Sequence, residues 1–399
     1  MQTKDILISD INISSLSFDF GDKLSSHSDL WDQLDAENSY WSADYFNTLN
    51  ENPPSGVKSH ACLVTHEGKP VAKFLFQYLT VRLSESFGDP SGEQKKPSFL
   101  QSLLKRLILP FLNFKIIVNG NLLLSGSYGF KFADYLDYDI KRQIFHKAIE
   151  AYRKFLKSNS LKASGILLKD LDNPNGQLDE YLKEHKYTNF KVQPKMKFEV
   201  PQDWQSMEDY KAALKSKYRV RFNKAKKSLG EIYCKRLSIA EIKAHSDAMY
   251  RLYLKTVGKA GFNLFLLDKQ YFLELAKKLE GRFIICGLFQ GSTMVSFFTL
   301  MDNGTELDAH YLGYDPSLNH KHKLYQNILY FMVEIAIDES KKTLHMSRTA
   351  LEIKSSVGTI PEEVQLFAKY YNRVGNWLLP KILDITVPEP EWQARSPFK

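Results

Sequence analysis

Leu307-Asp308-Ala309-His310-Tyr311-Leu312-Gly313-Tyr314-Asp315 reads as one strand, with polar groups set among apolar neighbours. Successive side chains of a strand point to opposite faces, so Asp308 and His310 share one face. Beyond it, Asn319-His320-Lys321-His322-Lys323 is polar and basic. A helix is predicted next, over 324–339, with Ile328, Phe331, Met332, Ile335 and Ala336 along one side. Upstream, 282–289 and 294–301 are apolar strands joined by a Gln290-Gly291-Ser292 turn. Downstream, 343–347 is a further short strand. The order is hairpin, strand, helix, strand. Hairpins give antiparallel neighbours, whereas a strand–helix–strand unit permits parallel ones. A mixed sheet with helices on its faces is therefore expected.

The first two hundred residues carry the same order. Residues 61–82 read as a hairpin turning at Glu67-Gly68-Lys69-Pro70. A strand is predicted over 121–130 and a helix over 140–157, with Ile144, Ala148, Ala151 and Phe155 on one face. Strand 163–169, a short helix 178–184 and strand 193–200 close this half. The second half adds helices at 206–229, 239–257, 269–279 and 361–371. The expected fold class is α/β (α+β) in two domains, 1–200 and 201–399, divided near Pro201. A single larger domain with 103–112 and 161–171 as buried helices is the alternative.

The chain has 399 residues, 43% hydrophobic and 25% charged. That is ordinary globular usage and excludes a disordered chain, a fibre or a coiled-coil rod. The longest apolar runs, such as 107–112, fall far short of the roughly 20 residues of a spanning helix. No basic segment followed by an apolar one opens the sequence, so no secretory signal is expected. Cys62, Cys234 and Cys286 are isolated, which predicts neither a disulfide framework nor a metal site. A reduced, cytoplasmic setting is the expectation.

The net charge of +8 is clustered. Residues 211–227 hold eight basic residues and no acid. Lys95, Lys96, Lys105, Arg106 and Lys115 thread a second, apolar stretch. Such patches favour anionic partners. For 99–115 the candidates are a core helix and a basic amphipathic contact to the inner face of a membrane. Nucleic acid is disfavoured, because no stacking motif or reader module accompanies the basic helix.

Three segments resemble the tandem GNAT-fold acyltransferases, a group that includes Fem-like aminoacyltransferases. Residues Tyr210 to Arg221 look like the YxxxLxxKxR helix that opens the second half in that family. Leu307 to Asp315, followed by Asn319 and the helix near Tyr325, looks like its central strand and cofactor-side helix. Ser347-Arg348-Thr349-Ala350-Leu351-Glu352-Ile353-Lys354-Ser355-Ser356-Val357-Gly358 looks like the segment closing the cleft. The likeness covers 200–375 well and is weak before 120. It implies two GNAT-like domains, the second catalytic. It also implies a thioester co-substrate, acyl-CoA or an acyl carrier protein, and an amine acceptor. One departure stands out: the glycine-containing pyrophosphate loop of GNAT enzymes is replaced here by Asn319 to Tyr325, which holds no glycine.

Within this frame His310 is a candidate general base, with Asp308 orienting it; a hydrogen-bonded core histidine is the other reading. Glu352 is a second candidate base, and Tyr311 a third catalytic candidate. Arg348, Lys354, Asn319, Lys323, Tyr325, Lys217, Arg219 and Arg221 are the candidates for holding donor or substrate. No metal is expected. The leading function is an N-acyltransferase, with a long-chain acyl group passing to an amino-lipid or sphingoid-type base. The alternatives are a Fem-like aminoacyltransferase using aminoacyl-tRNA and a non-catalytic, membrane-associated GNAT-fold protein.

Overall fold

A computed structural model of the chain describes residues 11–24, 27–35, 37–82, 113–171, 176, 178–258, 264–386 and 392–399. Most of the 99–115 segment lies outside these. Fifteen strands occur among them. They are β1 (Leu16–Gly21), β2 (Val57–His66), β3 (Lys69–Arg82), β4 (Asn113–Asn119), β5 (Phe130–Phe132), β6 (Gly165–Leu171), β7 (Thr188–Phe190) and β8 (Lys195–Glu199). The second half adds β9 (Tyr233–Arg236), β10 (Phe283–Gln290), β11 (Thr293–Asn303), β12 (Glu306–Tyr314), β13 (Thr343–His345), β14 (Ile360–Glu362) and β15 (Gln365–Tyr370).

The first sheet runs β1-β2-β3-β4-β6-β15-β7, with β5 also on β3. The second runs β14-β8-β13-β12-β11-β10-β9. Each contains one parallel pair, β4 with β6 and β12 with β13. The helices that matter for the site are α1 (Ala43–Glu51), α2 (Tyr138–Ser158), α3 (Met207–Ala213), α4 (Ser216–Ser228), α5 (Ile239–Val257) and α6 (Tyr271–Lys278). They continue with α7 (Pro316–His322), α8 (Leu324–Asp338), α9 (Leu351–Ser355) and α10 (Arg373–Thr386). Helix α2 crosses between β4 and β6, and α7–α8 cross between β12 and β13, as parallel neighbours require. The architecture is two tandem GNAT-like α/β units, each a mixed, mostly antiparallel sheet with helices against it.

The halves exchange strands. β8 pairs with β13 and β14 of the second sheet. β15 pairs with β6 and β7 of the first. Each sheet thus contains chain from both sides of residue 200. The helix expected over 361–371 is instead β14 and β15: Leu366 and Phe367 are buried where β15 fills the place between two strands, and that pairing overrides local preference. The helix expected over 206–229 is two, α3 and α4. Leu214 between them is extended and bridges Phe398, and Lys215 donates its N–H to the Pro397 carbonyl at 2.8 Å. The strand expected over 121–130 is 113–119. Residues 121–127 form a loop whose apolar Leu123 and Leu124 are buried among second-half residues of α5, α6 and β10.

That mixed cluster joins the halves: Tyr40, Tyr45 and Leu49 of the first pack with Tyr271, Phe272 and Leu275 of α6. A second core lies on the other face of the second sheet, where α8 supplies Ile328, Met332 and Val333. β12 carries a bulge. Phe298 faces Leu312 and Leu300 faces Ala309, so Thr299 opposes both His310 and Tyr311. The Thr299 hydroxyl closes it, accepting from the Tyr311 N–H at 2.9 Å and donating to the Tyr311 carbonyl at 3.0 Å. A bulge re-aims side chains, and here the two rings come within 4.7 Å.

Candidate functional site

β12 and β13 pair only over Glu306–Asp308 and Thr343–His345, then part. Past the last pair the Ser347 hydroxyl reaches the Ala309 carbonyl at 3.0 Å. The chain leaving β13 is strained: Ser347, Thr349 and Ala350 have φ of 56°, 67° and 50°. Left-handed backbone in non-glycine residues is costly and concentrates at functional sites. The opening between the strands is a narrow cleft with a free interior of about 10 Å³. Asp308, Ala309, His310, His345 and Ser347 line it from the second half, and Tyr40 and Leu123–Ser125 cover it from the first.

His345 is buried, 9% exposed. Its Nε2 lies 3.3 Å from Glu306 Oε2, while its Nδ1 is buried without any partner. The bond from His345 holds the Glu306 carboxyl below its ordinary range. Asp308, directly across the ladder from His345, accepts from Asn303 Nδ2 at 2.8 Å. Burial pushes its carboxyl above the ordinary range. His310 has both ring nitrogens engaged, with the Tyr271 hydroxyl 2.9 Å from Nε2 and the Tyr40 hydroxyl 3.3 Å from Nδ1. Burial pushes its pKa down to about 3, so the imidazole is neutral.

Beside the cleft the halves are tied by a buried ion cluster. The Asp170 carboxylate, fully buried, accepts from Lys169 Nζ at 2.6 Å, from the Gly126 N–H at 2.9 Å and from Arg348. Burial alone would raise this carboxyl, but the Lys169 and Arg348 cations bring it below its ordinary value. Lys354 lies buried behind Arg348 and donates to its carbonyl. Burial pushes the Lys354 ammonium down to about 7.

The expected site residues are spread over several places. His310 lines the cleft, and Tyr311 sits beside it with its hydroxyl 3.4 Å from the Leu123 carbonyl. Arg348 and Lys354 belong to the ion cluster. Glu352 is exposed and bonds the tail, through the Gln393 N–H and Arg395 Nη2, each at 3.3 Å. Lys217, Arg219 and Arg221 lie on α4, and none of them lines the cleft. Lys217 and Arg221 are exposed, and Arg219 Nη2 donates to the Leu214 carbonyl at 3.1 Å. His345, Glu306 and Tyr40 are site groups that sequence reasoning missed. His345 was signalled only by falling in a predicted strand.

Asn319, Lys323 and Tyr325 shape the start of α8. A pyrophosphate at a helix start needs free backbone amides. Here Asn319 Oδ1 takes the Tyr325 N–H at 2.9 Å, and Asp315 Oδ1 takes the Ser317 N–H at 2.9 Å. Lys323 is left-handed at φ 48° and gives its N–H to the Asn319 carbonyl at 2.8 Å. In the first half, Asp137 caps α2 and Asp139 follows in its first turn. At each of these three helix starts a side-chain oxygen already holds one of the first backbone amides.

The crystal structure of FemX superposes on 88% of this chain and 98% of its own, with a TM-score of 0.50 and 12% identity. The chain has the FemX fold. A tandem GNAT protein from the clavulanic acid biosynthesis pathway matches over 90% of this chain and 99% of its own, with a TM-score of 0.48 and 9% identity. A conserved protein of Bacteroides thetaiotaomicron matches over 88% and 99%, with a TM-score of 0.48 and 10% identity. No family model and no curated protein matches the sequence. Among the described residues no helix is long and apolar enough to cross a membrane, and no cluster of three or more potential metal ligands occurs.

Proposed function

We propose that the protein is a transferase that passes an acyl or aminoacyl group from an activated ester or thioester to an amine in the cleft between β12 and β13. One observation carries this reading: a buried histidine nitrogen without a partner, on a ring whose other nitrogen is fixed by a carboxylate. In the tautomer that directs Nε2–H at Glu306, the His345 ring carries its lone pair on Nδ1. As the amine nitrogen bonds to the carbonyl carbon, its proton passes to Nδ1. Glu306 steadies the imidazolium. When the carbonyl's bond to the leaving sulfur or oxygen breaks, the same proton passes to that atom.

His310 serves as a positioning residue in this scheme. Its neutral ring has one N–H. In the tautomer with that N–H on Nδ1, it points at the Tyr40 oxygen. The Tyr40 hydroxyl hydrogen is then free to meet the oxyanion that develops on the carbonyl. The finer reading is a long-chain donor, acyl-CoA or carrier-protein bound, with an amino-lipid acceptor. The basic, apolar 99–115 segment supports it. An aminoacyl-tRNA donor is the second reading, favoured by the basic helix α4.

Native mass spectrometry with acyl-CoAs, acyl carrier protein thioesters and aminoacyl-tRNA identifies the donor class. Amide formation with that donor then tests the base. His345→Ala should lower kcat by about 10²–10⁴-fold, and Glu306→Gln should lower it less with KM unchanged. A folded His345→Ala protein that turns over at the wild-type rate removes the mechanism.

A further inference from the structure

Helix α10 is apolar on both sides. Gly375, Asn376, Leu379 and Leu383 form its inner side and are partly buried. Gly375 lies so close to the first sheet that an added Cβ would sit 2.3 Å from the Tyr370 ring. Asn376 ties the helix down, accepting from the Tyr370 N–H at 2.8 Å and donating to the Lys186 carbonyl at 3.0 Å. The opposite side is also apolar and faces outward. Val374 and Trp377 are each 69% exposed and Leu378 is 37% exposed. At a helical spacing of three and four residues these side chains form one ridge. A helix on a globular surface ordinarily turns charged and polar groups to water.

The rim of this ridge is basic. Lys381 lies one turn from Trp377, with Nζ 5.2 Å from its ring, and Arg373 begins the helix. Asp384 is the only acid on α10.

We infer that α10 is a docking surface for an anionic phospholipid bilayer, lying in the plane of the interface with Val374, Trp377 and Leu378 inserted. An indole ring and aliphatic side chains suit the headgroup–acyl boundary. Lysine and arginine keep their charges among the phosphates while their stems cover apolar surface. The cations gain from a negatively charged leaflet. This inference does not depend on the transfer chemistry, and it concerns residues other than 99–115.

The test is co-sedimentation of the full chain with vesicles, one set of phosphatidylcholine alone and one of phosphatidylcholine with an equal part of phosphatidylglycerol. Wild-type protein should bind the anionic set and leave the neutral set largely free. Val374→Ser/Trp377→Ser changes exposed side chains only, and should bind anionic vesicles at least about tenfold more weakly with an unchanged melting temperature. Arg373→Glu/Lys381→Glu should weaken binding by a similar factor and lower its salt dependence. The inference is overturned if wild-type protein does not bind anionic vesicles. It is overturned equally if the serine variant binds as well as wild type while Lys105→Glu/Arg106→Glu does not. Light scattering that finds a dimer dissolved by the serine variant would assign the ridge to a second copy of this chain, and would also overturn it.

Discussion

Asp170→Asn tests the join between the halves most directly. The substitution keeps the size of the side chain and removes its charge. Asp170 sits at the end of β6 in the first half, and Arg348 follows β13 in the second. Without the carboxylate, Lys169, which is 7% exposed, and Arg348 share a buried site with no counter-charge. Arg348 already has a buried Nε without a partner. Removing one member of a buried ion pair costs about 3–5 kcal/mol. At roughly 2–4 °C per kcal/mol, the melting temperature should fall by about 6–20 °C. The loss should also depend on pH. Burial already pushes Lys169 down to about 8, and loss of Asp170 lowers it further. Below that value the folded state holds a charged, buried lysine. Above it the unfolded chain, with a lysine pKa near ~10.4, binds a proton that the folded state does not, so stability rises with pH. The deficit against wild type should therefore be larger at pH 6 than at pH 9. Thermal melts at both pH values measure it. A deficit under about 1 kcal/mol, or one that grows with pH, would refute the reasoning.

Lys354→Met should be at least as stable as wild type at pH 6, because the folded ammonium is pushed down to about 7 by burial. The wild-type protein should gain stability from this group as pH rises from about 7 towards ~10.4, and the methionine variant should lack that gain in urea titrations. Gly313→Ala should lower the unfolding free energy by about 1–3 kcal/mol, read as a lower denaturant midpoint with an unchanged slope, since the new Cβ would meet the backbone of Leu252 and Tyr253 at 2.6 Å. Glu352→Ala should change transfer rates by less than about twofold and instead loosen the tail held through Arg395, read as faster proteolysis near residue 392.

How far the sequence could be read depended on where each segment buries its apolar side. Helix 239–257 was legible because Ile242, Met249, Leu252 and Tyr253 recur at helical spacing on one core. The β10–β11 hairpin was legible as two apolar runs about a Gly turn, buried on both faces. Leu122-Leu123-Leu124 read as part of a strand because a short apolar run carries no period of its own. Its partners lie in the other half, so nothing nearby in the chain could show that it is a loop. Residues 365–370 read as helix because their strand neighbours, β6 and β7, are nearly two hundred residues away. The site was less legible still. His310 stood out by its chemistry, but the two hydroxyls that occupy its nitrogens come from Tyr40 and Tyr271, on other elements. His345 gains its meaning from a register that sets it opposite Asp308 and two residues past the pairing of Glu306 with Thr343. Three left-handed residues at 347–350 leave no mark on composition.

The two halves share an architecture, yet their parallel pairs end differently. Past β4 and β6 the divergence is filled from within. The Asn119 side chain donates to the Gly129 and Leu75 carbonyls at 2.7 and 3.2 Å. Lys169 Nζ reaches the Leu124 carbonyl at 2.7 Å, and Gly120 comes so near Lys169 that a Cβ would lie 2.9 Å from it. The loop that closes this first wedge then continues as Leu123–Ser125, which cover the second one. The second wedge keeps its cleft because its own crossover, α7 and α8, packs against α4 instead, through His322 to Ser228 and Asn327 to Ala225. One set of contacts therefore does two things: it closes the first half on itself and supplies the dry wall over His345. The buried imidazole needs that wall, because water admitted to the cleft would give Nδ1 a partner and weaken every electrostatic interaction around it. On this argument the first half matters to the chemistry as a wall, and loosening it at Asp170 should impair the site even though Asp170 does not line it.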